Sequence, residues 1–399
     1  MNKSFSAFFI RELDKFLVCQ KPEKSFVYYK DFRINLLTGK KENFPISDFV
    51  EELSKKKLSD RPDKPEIIHL FYEFGYLLQD LDNLLPSNKI LAVTINYSQF
   101  DLKRELPFKG SSEINIELKD YPKFKNYKQR FDKVYKHLID GDCYQVNLTS
   151  QFYFRFKETT QFQDIICSLW KDRNMIGNLA HCSYLDSMDK LLISNTPECL
   201  FQMKRISNKD VKIYSMPIKG TIKCSGQKEV KIKWKELTSN PKEQAELYMI
   251  TDLVRNDLAK INLKPAVVKH KKLPLVVPGI LHQYSVVETT VEDSVSIYDL
   301  LKGLYPGGSI TGAPKKRVME IIDKVEEGYR SFYCGSTLLF HNDLKSGSIN
   351  IRSAEVDFST QEVVYGSGGG ITLESSNRAE FEESYLKMES FLKLMGSLP

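Results

Sequence analysis

The sequence predicts an α+β protein rather than a parallel α/β protein. Segments rich in β-branched and aromatic residues, such as residues 26–29 and 90–95, indicate strands, and amphipathic segments elsewhere indicate helices. The two types do not alternate regularly, as they do in a parallel sheet built from βαβ units. The 399 residues are 41% hydrophobic, which is enough for a substantial core in one large domain or two of ordinary size.

The charge composition argues against a nucleic-acid-binding protein. The net charge of +6 arises from 58 basic and 52 acidic residues, a mild excess that could help to attract an anionic substrate. The lysine-rich stretches 55–57, 123–136 and 228–235 alternate with apolar or acidic residues, as solvent-exposed helix faces do. No apolar run approaches the length of a membrane span, and the run within residues 1–10 is too short for a signal peptide. We therefore expect neither nucleic acid nor a membrane as a partner.

The cysteines indicate a cytoplasmic protein with reduced thiols. Seven cysteines occur at irregular spacing without a Cys-x-x-Cys pair, whereas a disulfide framework usually has an even number. The six histidines form no His-x-x-x-His pair, and none lies near cysteines in a zinc-binding pattern. The sequence therefore does not predict a zinc site.

Residues 1–118 and 119–399 are predicted to be two portions of different character. The first mixes short strand-like and helix-like segments, including the very apolar stretch 67–78, which could be either a strand or a helix. The sequence becomes polar around residues 107–120, and we place a soft boundary there. Every candidate functional residue lies after that boundary.

The second portion contains clear helix signals. Residues 126–140 predict a helix that stops at Gly141. Asn240 predicts the N-terminal cap of a second helix, which should run to about residue 260. Residues 314–326 predict a third helix, and a capping box that begins at Asn377 predicts the last one. The strands predicted in this portion are residues 145–156, 191–194, 211–216 and 363–365.

Lys219 is the first candidate catalytic residue. It follows Pro217, which fixes its own φ, and precedes Gly220, which permits a tight turn or a close approach to a ligand. The lysine would therefore lie on a stiff strand end, where partial desolvation lowers the pKa of the ammonium group and yields a nucleophilic amine. The alternative interpretation is an ordinary exposed lysine at a turn.

Glu246 is a candidate because of its place on a predicted helix. It lies at helical spacing with Ile250, Leu253 and Asp257, which form one stripe. A carboxylate among core-facing aliphatic side chains is costly unless another group neutralises its charge. The alternative interpretation is a surface glutamate at the edge of the stripe.

Residues 307–315 form a glycine-rich loop before a predicted helix. Gly307 and Gly312 have the glycine spacing of a phosphate-binding loop, but Ala313 and Pro314 stand where such a loop needs lysine and serine or threonine. The nucleotide-binding interpretation therefore fails. The backbone N–H groups of the loop would suit a carboxylate or tight packing.

The order of the motifs resembles that of the chorismate-utilising enzymes over roughly residues 121–395. The segments that carry the resemblance are 141–148, 217–221, 244–257, 306–315, 351–353, 368–370 and 380–387. Within the family, the lysine of Pro-Ile-Lys-Gly-Thr resembles the synthase subunit of aminodeoxychorismate synthase, whereas anthranilate synthases usually carry alanine there.

The resemblance implies a fold and a metal site. The implied fold has two large, mainly antiparallel sheets packed together, with helices outside and the active site between the sheets. The implied metal is one Mg²⁺ held by Glu246 and Glu383, with Glu380 ligating through water or orienting the others. Mg²⁺ favours a few carboxylates together with water and a substrate oxygen, and it would neutralise the costly Glu246.

The resemblance also implies the roles of the other site residues. It implies Lys219 as the nucleophile and Glu198 as the general acid, a task that needs a carboxylic acid of raised pKa. It implies that Arg352 binds a substrate carboxylate, which its planar guanidinium can do in bidentate fashion. The remaining implied substrate-binding residues are His282, Gln145, Gly368, Gly369, Gly370, Lys387 and Thr311.

The implied reaction converts chorismate and ammonia to 4-amino-4-deoxychorismate, on the route to para-aminobenzoate and folate, through a covalent intermediate on Lys219. The sequence contains no Gly-x-Cys-x-Gly elbow with a later His-x-Glu, so ammonia is expected from a separate glutamine amidotransferase subunit. The alternatives are anthranilate synthase component I and a non-catalytic chorismate-binding relative. Hydrolysis is disfavoured because Gln145 stands where isochorismate and salicylate synthases carry a lysine that activates water.

Three positions depart from the usual family pattern. Thr196 replaces a common serine, Glu243-Gln244 replaces Asp-Arg, and Ile222-Lys223 stands where an arginine is expected. None of these changes removes an implied catalytic group.

Overall fold

The structure, a computed structural model, describes residues 3–111, 113–224, 226–261, 265–277 and 280–396. Its strands are β1 (Phe5–Ile10), β2 (Lys15–Tyr28), β3 (Phe32–Asn35), β4 (Lys41–Asn43), β5 (Glu66–Leu70), β6 (Ala92–Lys103), β7 (Ile116–Asp120), β8 (Gln145–Phe156), β9 (His181–Leu185), β10 (Lys190–Ser194), β11 (Cys199–Arg205), β12 (Asp210–Met216), β13 (Ile218–Lys223), β14 (Val267–Val277), β15 (Ile280–Glu292), β16 (Gly312–Ala313), β17 (Ser336–His341), β18 (Leu344–Ser348), β19 (Ser353–Asp357) and β20 (Glu362–Ile371). Its α-helices are α1 (Ile46–Lys55), α2 (Phe74–Leu78), α3 (Phe124–Ile139), α4 (Phe162–Leu169), α5 (Gln227–Ser239), α6 (Pro241–Lys260), α7 (Ile297–Leu304), α8 (Lys315–Val325) and α9 (Asn377–Leu394).

The strands pair antiparallel, which confirms the predicted α+β class. They form one hydrogen-bonded run in the order β14–β15–β12–β11–β18–β17–β5–β6–β2–β1–β9–β10–β19–β20–β8. The 14-residue strand β2 joins two halves of this run, because it pairs with β6 at the end of the half that starts at β14 and with β1 at the start of the half that ends at β8. Strands from the first 118 residues pair with later strands, as β1 does with β9 and β5 with β17.

The two ends of the run meet at a cavity. Strands β12 and β13 lie end to end along β15, and Pro217 separates them. Strand β20 pairs with β8 in the other half. Helix α6 packs on β13, β14 and β15, whereas α9 packs on β20. The two helices therefore bring side chains from opposite halves to the same cavity.

The start of α6 follows from its sequence, as predicted. The Asn240 side chain accepts hydrogen bonds from the backbone N–H groups of Lys242 and Glu243, and Pro241 occupies the first turn, where no N–H partner is needed. Further along the helix, Asp257 is buried, and its charge is compensated by Lys315 Nζ at 2.9 Å.

Two local predictions are refined by the structure. The start of α9 was predicted wrongly, because its N-terminal cap is Ser376, which accepts from the Ala379 N–H, and Asn377 is already helical. The carboxylate of Glu380 instead accepts a hydrogen bond from Ser375 Oγ at 2.7 Å. The ambiguous stretch 67–78 contains both element types, since β5 ends at residue 70 and α2 spans Phe74–Leu78. Among the described residues, no helix is both long and apolar enough to span a membrane.

A buried ion pair between Arg330 and Glu326 stabilises the wall of the cavity. Arg330 donates to both carboxylate oxygens of Glu326, at 2.8 and 2.7 Å. The same guanidinium donates to the carbonyls of Ile310 and Asn147, each at 2.6 Å. Because Ile310 and Asn147 both line the cavity, Arg330 fixes the relative position of two of its walls.

Glu73 holds the backbone beside this arginine. Its Oε1 accepts from the Arg330 N–H at 2.8 Å, while its Oε2 is buried without a hydrogen-bond partner among the described residues. Burial raises the pKa of Glu73 from 4.5 to about 7. The carboxyl group is therefore favoured in its neutral form, which needs less solvation.

The raised pKa of Glu73 predicts a pH-dependent stability. The folded state binds this proton more tightly than the unfolded chain does. The stability that the bound proton contributes to the folded state is therefore present below about pH 4.5 and is lost as the pH rises through about 7. We expect Glu73→Gln to raise the free energy of unfolding at about pH 8 by about 2 kcal/mol, because glutamine keeps the acceptor without the charge. Urea unfolding across this pH range measures the effect, with the exposed Glu327→Gln as control. Equal pH profiles for both variants would contradict the assignment.

Candidate active site

The cavity between the two halves of the sheet has a volume of about 770 Å³. Such a volume suits a small-molecule substrate. The predicted site residues that line it are Glu198, Lys219, Glu246, His282, Arg352, Gly368, Gly369, Gly370, Glu380, Glu383 and Lys387. Residues far apart in sequence therefore share one space, as the motif order led us to expect.

Lys219 lies on β13, held between Pro217 and Gly220. The Pro217 carbonyl accepts from the Ser285 N–H, and Gly220 has φ of +81°, a left-handed conformation that favours glycine. A β-carbon added to Gly370 would lie 3.0 Å from Lys219 Nζ, so the ammonium faces β20 across the cavity. No hydrogen bond or ion pair joins it to the part of the chain that the structure describes. The amine is thus placed to contact a ligand.

Glu198 is 2% exposed and reaches the cavity from the position immediately before β11. Its Oε1 accepts from the Ile218 N–H at 3.3 Å, next to Lys219. Thr196 fixes the backbone at this position, because its hydroxyl accepts a hydrogen bond from the Glu198 N–H and donates one to the Ile349 carbonyl. Burial raises the pKa of Glu198, against smaller opposing effects that include the Lys219 charge. This carboxyl is therefore suited to hold and donate a proton.

Arg352, which is half-buried, pairs with the buried His282 on the cavity wall. Arg352 Nη2 lies 2.9 Å from His282 Nε2, and His282 Nδ1 lies 3.2 Å from the Gly220 carbonyl. Since a carbonyl only accepts, Nδ1 carries the proton and Nε2 accepts from the guanidinium. Burial, with the Arg352 charge second, lowers the pKa of His282 to about 3. The neutral imidazole thus orients Arg352, whose φ of 51° is unusual for a residue other than glycine.

The glycines of β20 allow a close approach of backbone and side chains. An added β-carbon would lie 2.4 Å from the Leu148 carbonyl at Gly368, and 2.9 Å from Glu380 Oε2 at Gly369. Lys387 Nζ donates to the Gly368 carbonyl at 2.8 Å. A side chain at Gly368 would collide with the backbone of β8, and one at Gly369 would have to displace the Glu380 carboxylate. The glycines therefore allow β20 to line the cavity closely.

Six glutamates from α6 and α9 line the cavity. Glu382 and Glu389 are exposed, whereas the other four are buried or partly buried: Glu243, Glu246, Glu380 and Glu383. Two lysines compensate part of their charge. Lys387 Nζ lies 2.8 Å from Glu383 Oε1, and this pairing lowers the pKa of Glu383. Lys242 Nζ lies 3.9 Å from Glu246 Oε1 and 3.7 Å from Glu380 Oε1.

The electrostatics of these glutamates indicate an excess of negative charge. Burial, followed by the charges of Glu246 and Glu383, raises the pKa of Glu243 to about 7. Burial and the Glu383 charge also raise the pKa of Glu380. Carboxylates that repel one another in a partly buried site favour a bound cation, so the donor set fits Mg²⁺. Among the described residues, however, no three acidic, histidine or cysteine side chains are already arranged around one point. A bound metal would therefore have to displace an ammonium group from these carboxylates.

Glu243 and Lys242 are cavity residues that the sequence interpretation missed. Both precede Glu246 by one helical turn, at spacings of three and four residues. Residues at these spacings share a helix face. The spacing could therefore have placed them beside Glu246 once that residue was assigned to the site.

Gln145 and Thr311 lie outside the cavity lining and are fully buried. Thr311 Oγ1 donates to the Gly307 carbonyl at 2.8 Å, so it stabilises the glycine-rich loop. The Gln145 amide has no hydrogen-bond partner among the described residues and lies 2.8 Å from where a β-carbon of Gly370 would be. Gly308 packs against Leu253, so at this position the loop serves tight packing.

Comparison with known proteins identifies relatives over most of the chain. An aminodeoxychorismate synthase component 1 from Salmonella typhimurium is 34% identical over 272 residues, which is 67% of this chain and 56% of that relative. An anthranilate synthase component 1 from Aquifex aeolicus is 26% identical over 402 residues, covering 93% of this chain and 77% of the relative. The matched segment thus spans less than two thirds of the Salmonella relative's length.

The solved structures show a similar fold. Anthranilate synthase component I from Streptococcus pneumoniae superposes with a TM-score of 0.75 at 19% identity, covering 94% of this chain and 91% of that one. A family model described as chorismate binding enzyme matches residues 33–393, which include both halves of the cavity. The chain therefore belongs to the chorismate binding enzyme family.

Proposed function

We propose that this chain is the synthase subunit of an aminodeoxychorismate synthase, which converts chorismate and ammonia to 4-amino-4-deoxychorismate. The observation that carries the proposal is Lys219, whose amine faces the cavity near the buried acid Glu198. The 34% identity to an aminodeoxychorismate synthase component 1 supports the same branch.

The proposed first step forms a covalent bond to the enzyme. The Lys219 amine attacks C2 of chorismate, both ring double bonds shift toward C4, and the C4–O bond breaks. Glu198 donates its proton to the departing hydroxyl, which leaves as water. The raised pKa of Glu198 supports this role, because burial favours the protonated form that can donate.

The proposed second step releases the product. Ammonia attacks C4, both ring double bonds shift back, and the C2–N bond to Lys219 breaks, so that the lysine leaves as a neutral amine. The new ammonium group at C4 returns one proton to Glu198. The enzyme is then in its starting state, and the net change is chorismate plus ammonia to aminodeoxychorismate plus water.

The proposed binding mode uses the opposite charges of the cavity. Arg352, oriented by neutral His282, would hold one substrate carboxylate, and N–H groups of the glycine strand would assist. Glu246 and Glu383, with Glu380 behind them, would hold Mg²⁺, which supplies positive charge for the ring carboxylate of chorismate.

The alternative function is anthranilate synthase component I. The relative from Aquifex aeolicus, which matches 93% of this chain, is such a protein. The two functions differ in product, because anthranilate requires ammonia rather than lysine at C2. The lysine at position 219 favours the aminodeoxychorismate reaction.

Replacement of Lys219 tests the proposed function. With chorismate, Mg²⁺ and ammonium, the unaltered chain should form aminodeoxychorismate, and Lys219→Ala should lose its formation by on the order of 100-fold or more. The variant should gain some anthranilate formation, because ammonia can then reach C2. Chromatography with mass detection identifies the products, and Lys204→Ala, an exposed change on β11, is the control. Anthranilate as the main product of the unaltered chain would favour the alternative.

The ammonia source gives a second test. We propose that a separate glutamine amidotransferase subunit supplies ammonia, in keeping with the name component 1 of the relatives. The purified chain should therefore turn over chorismate with ammonium but not with glutamine, and glutamine use should appear when a glutaminase subunit is added. Measured glutamine-dependent turnover by the chain alone would overturn this expectation.

A further inference from the structure

Lys242 lies where the carboxylates of α6 and α9 approach each other. Its Nζ is 3.9 Å from Glu246 Oε1 on its own helix and 3.7 Å from Glu380 Oε1 on α9. The glutamate side chains are only 15% and 7% exposed, and a buried carboxylate without nearby positive charge is costly. One ammonium therefore compensates charge on two helices that come from opposite halves of the sheet.

We propose that Lys242 is an internal counter-ion of this carboxylate cluster, which Mg²⁺ displaces on binding, so that the lysine sets the affinity of the site for the metal. The inference rests on the Mg²⁺ assignment under the proposed function. In this proposal Lys242 competes with the metal, whereas the glutamates would hold it.

The geometry distinguishes Lys242 from the other lysine of the cluster. Lys387 is anchored, with Nζ 2.8 Å from Glu383 and 2.8 Å from the Gly368 carbonyl. Both distances of Lys242 exceed the 2.7–3.2 Å of a direct hydrogen bond. Its side chain is also 34% exposed. Lys242 thus attracts the carboxylates without being fixed to them, and it can move toward solvent.

Charge explains why the metal would win this competition. An ammonium supplies a single positive charge between Glu246 and Glu380, whereas Mg²⁺ supplies two and ligates carboxylate oxygens directly. A lysine left in place would repel the metal at close range, where the field is poorly screened. Metal affinity therefore includes the work of moving Lys242 away.

Metal titration tests the proposal without any turnover. Mn²⁺ replaces Mg²⁺ as an observable probe, and its binding is followed by electron paramagnetic resonance and calorimetry. Lys242→Gln should bind Mn²⁺ roughly tenfold more tightly than the unaltered chain, because the competing charge is gone. Lys242→Arg, which keeps the charge, should not. The matched control is Lys393→Gln, which removes the same charge from an exposed position lining the same cavity on α9.

A second measurement covers the metal-free protein. Lys242→Gln should have a lower Tm than the unaltered chain without metal, since two buried carboxylates lose their counter-ion, and the difference should vanish in saturating Mg²⁺. Equal Mn²⁺ affinities for Lys242→Gln and Lys393→Gln would overturn the proposal. Absence of Mn²⁺ binding by every variant would overturn both the proposal and the metal assignment. Neither result depends on which product the enzyme forms, so the proposed reaction is tested separately.

Discussion

Charge compensation in one cavity is the constraint on which the rest of the site depends. Helices α6 and α9 come from opposite halves of the sheet, yet both direct carboxylates into the same partly buried space. The repulsion is visible in the pKa of Glu243, which rises to about 7. Lysines from both helices offset part of this charge. Under the proposed function, a cation and an anionic substrate would relieve opposite imbalances of charge, the first at the glutamates and the second at Arg352.

Close backbone approach is the second requirement. Gly370 brings β20 next to Lys219, and a β-carbon there would collide with Gln145 and approach the lysine amine. Behind this strand, Arg330 ties two cavity walls together through their carbonyls. Rigid placement of this kind lowers the cost of orienting groups for reaction. It also gives a physical reason for Lys219, the proposed nucleophile, to lie on a strand between proline and glycine rather than on a loop.

Local signals in the sequence were sufficient to predict many helices and strands, but they did not predict the long-range contacts between them. The cap at Asn240 and the strand at residues 145–156 follow from residue type and periodicity alone. The start of α9 was harder, because adjacent serine and asparagine residues can all serve as caps. Most of the site residues to which motif order pointed do line the cavity. The position of Lys242 between Glu246 and Glu380 could not be predicted from the sequence, since it depends on how α9 packs against the other half of the sheet.

The proposed function depends on Lys219 as a nucleophile, and mass spectrometry can detect the covalent adduct that this role requires. The chain is incubated with chorismate and Mg²⁺ in the absence of ammonia, quenched in acid, and digested to locate any modified residue. The account predicts a mass increase equal to chorismate minus water, on the peptide that contains Lys219, and its loss when ammonium is added before the quench. An unmodified Lys219 in a preparation that forms aminodeoxychorismate with ammonium would contradict the account.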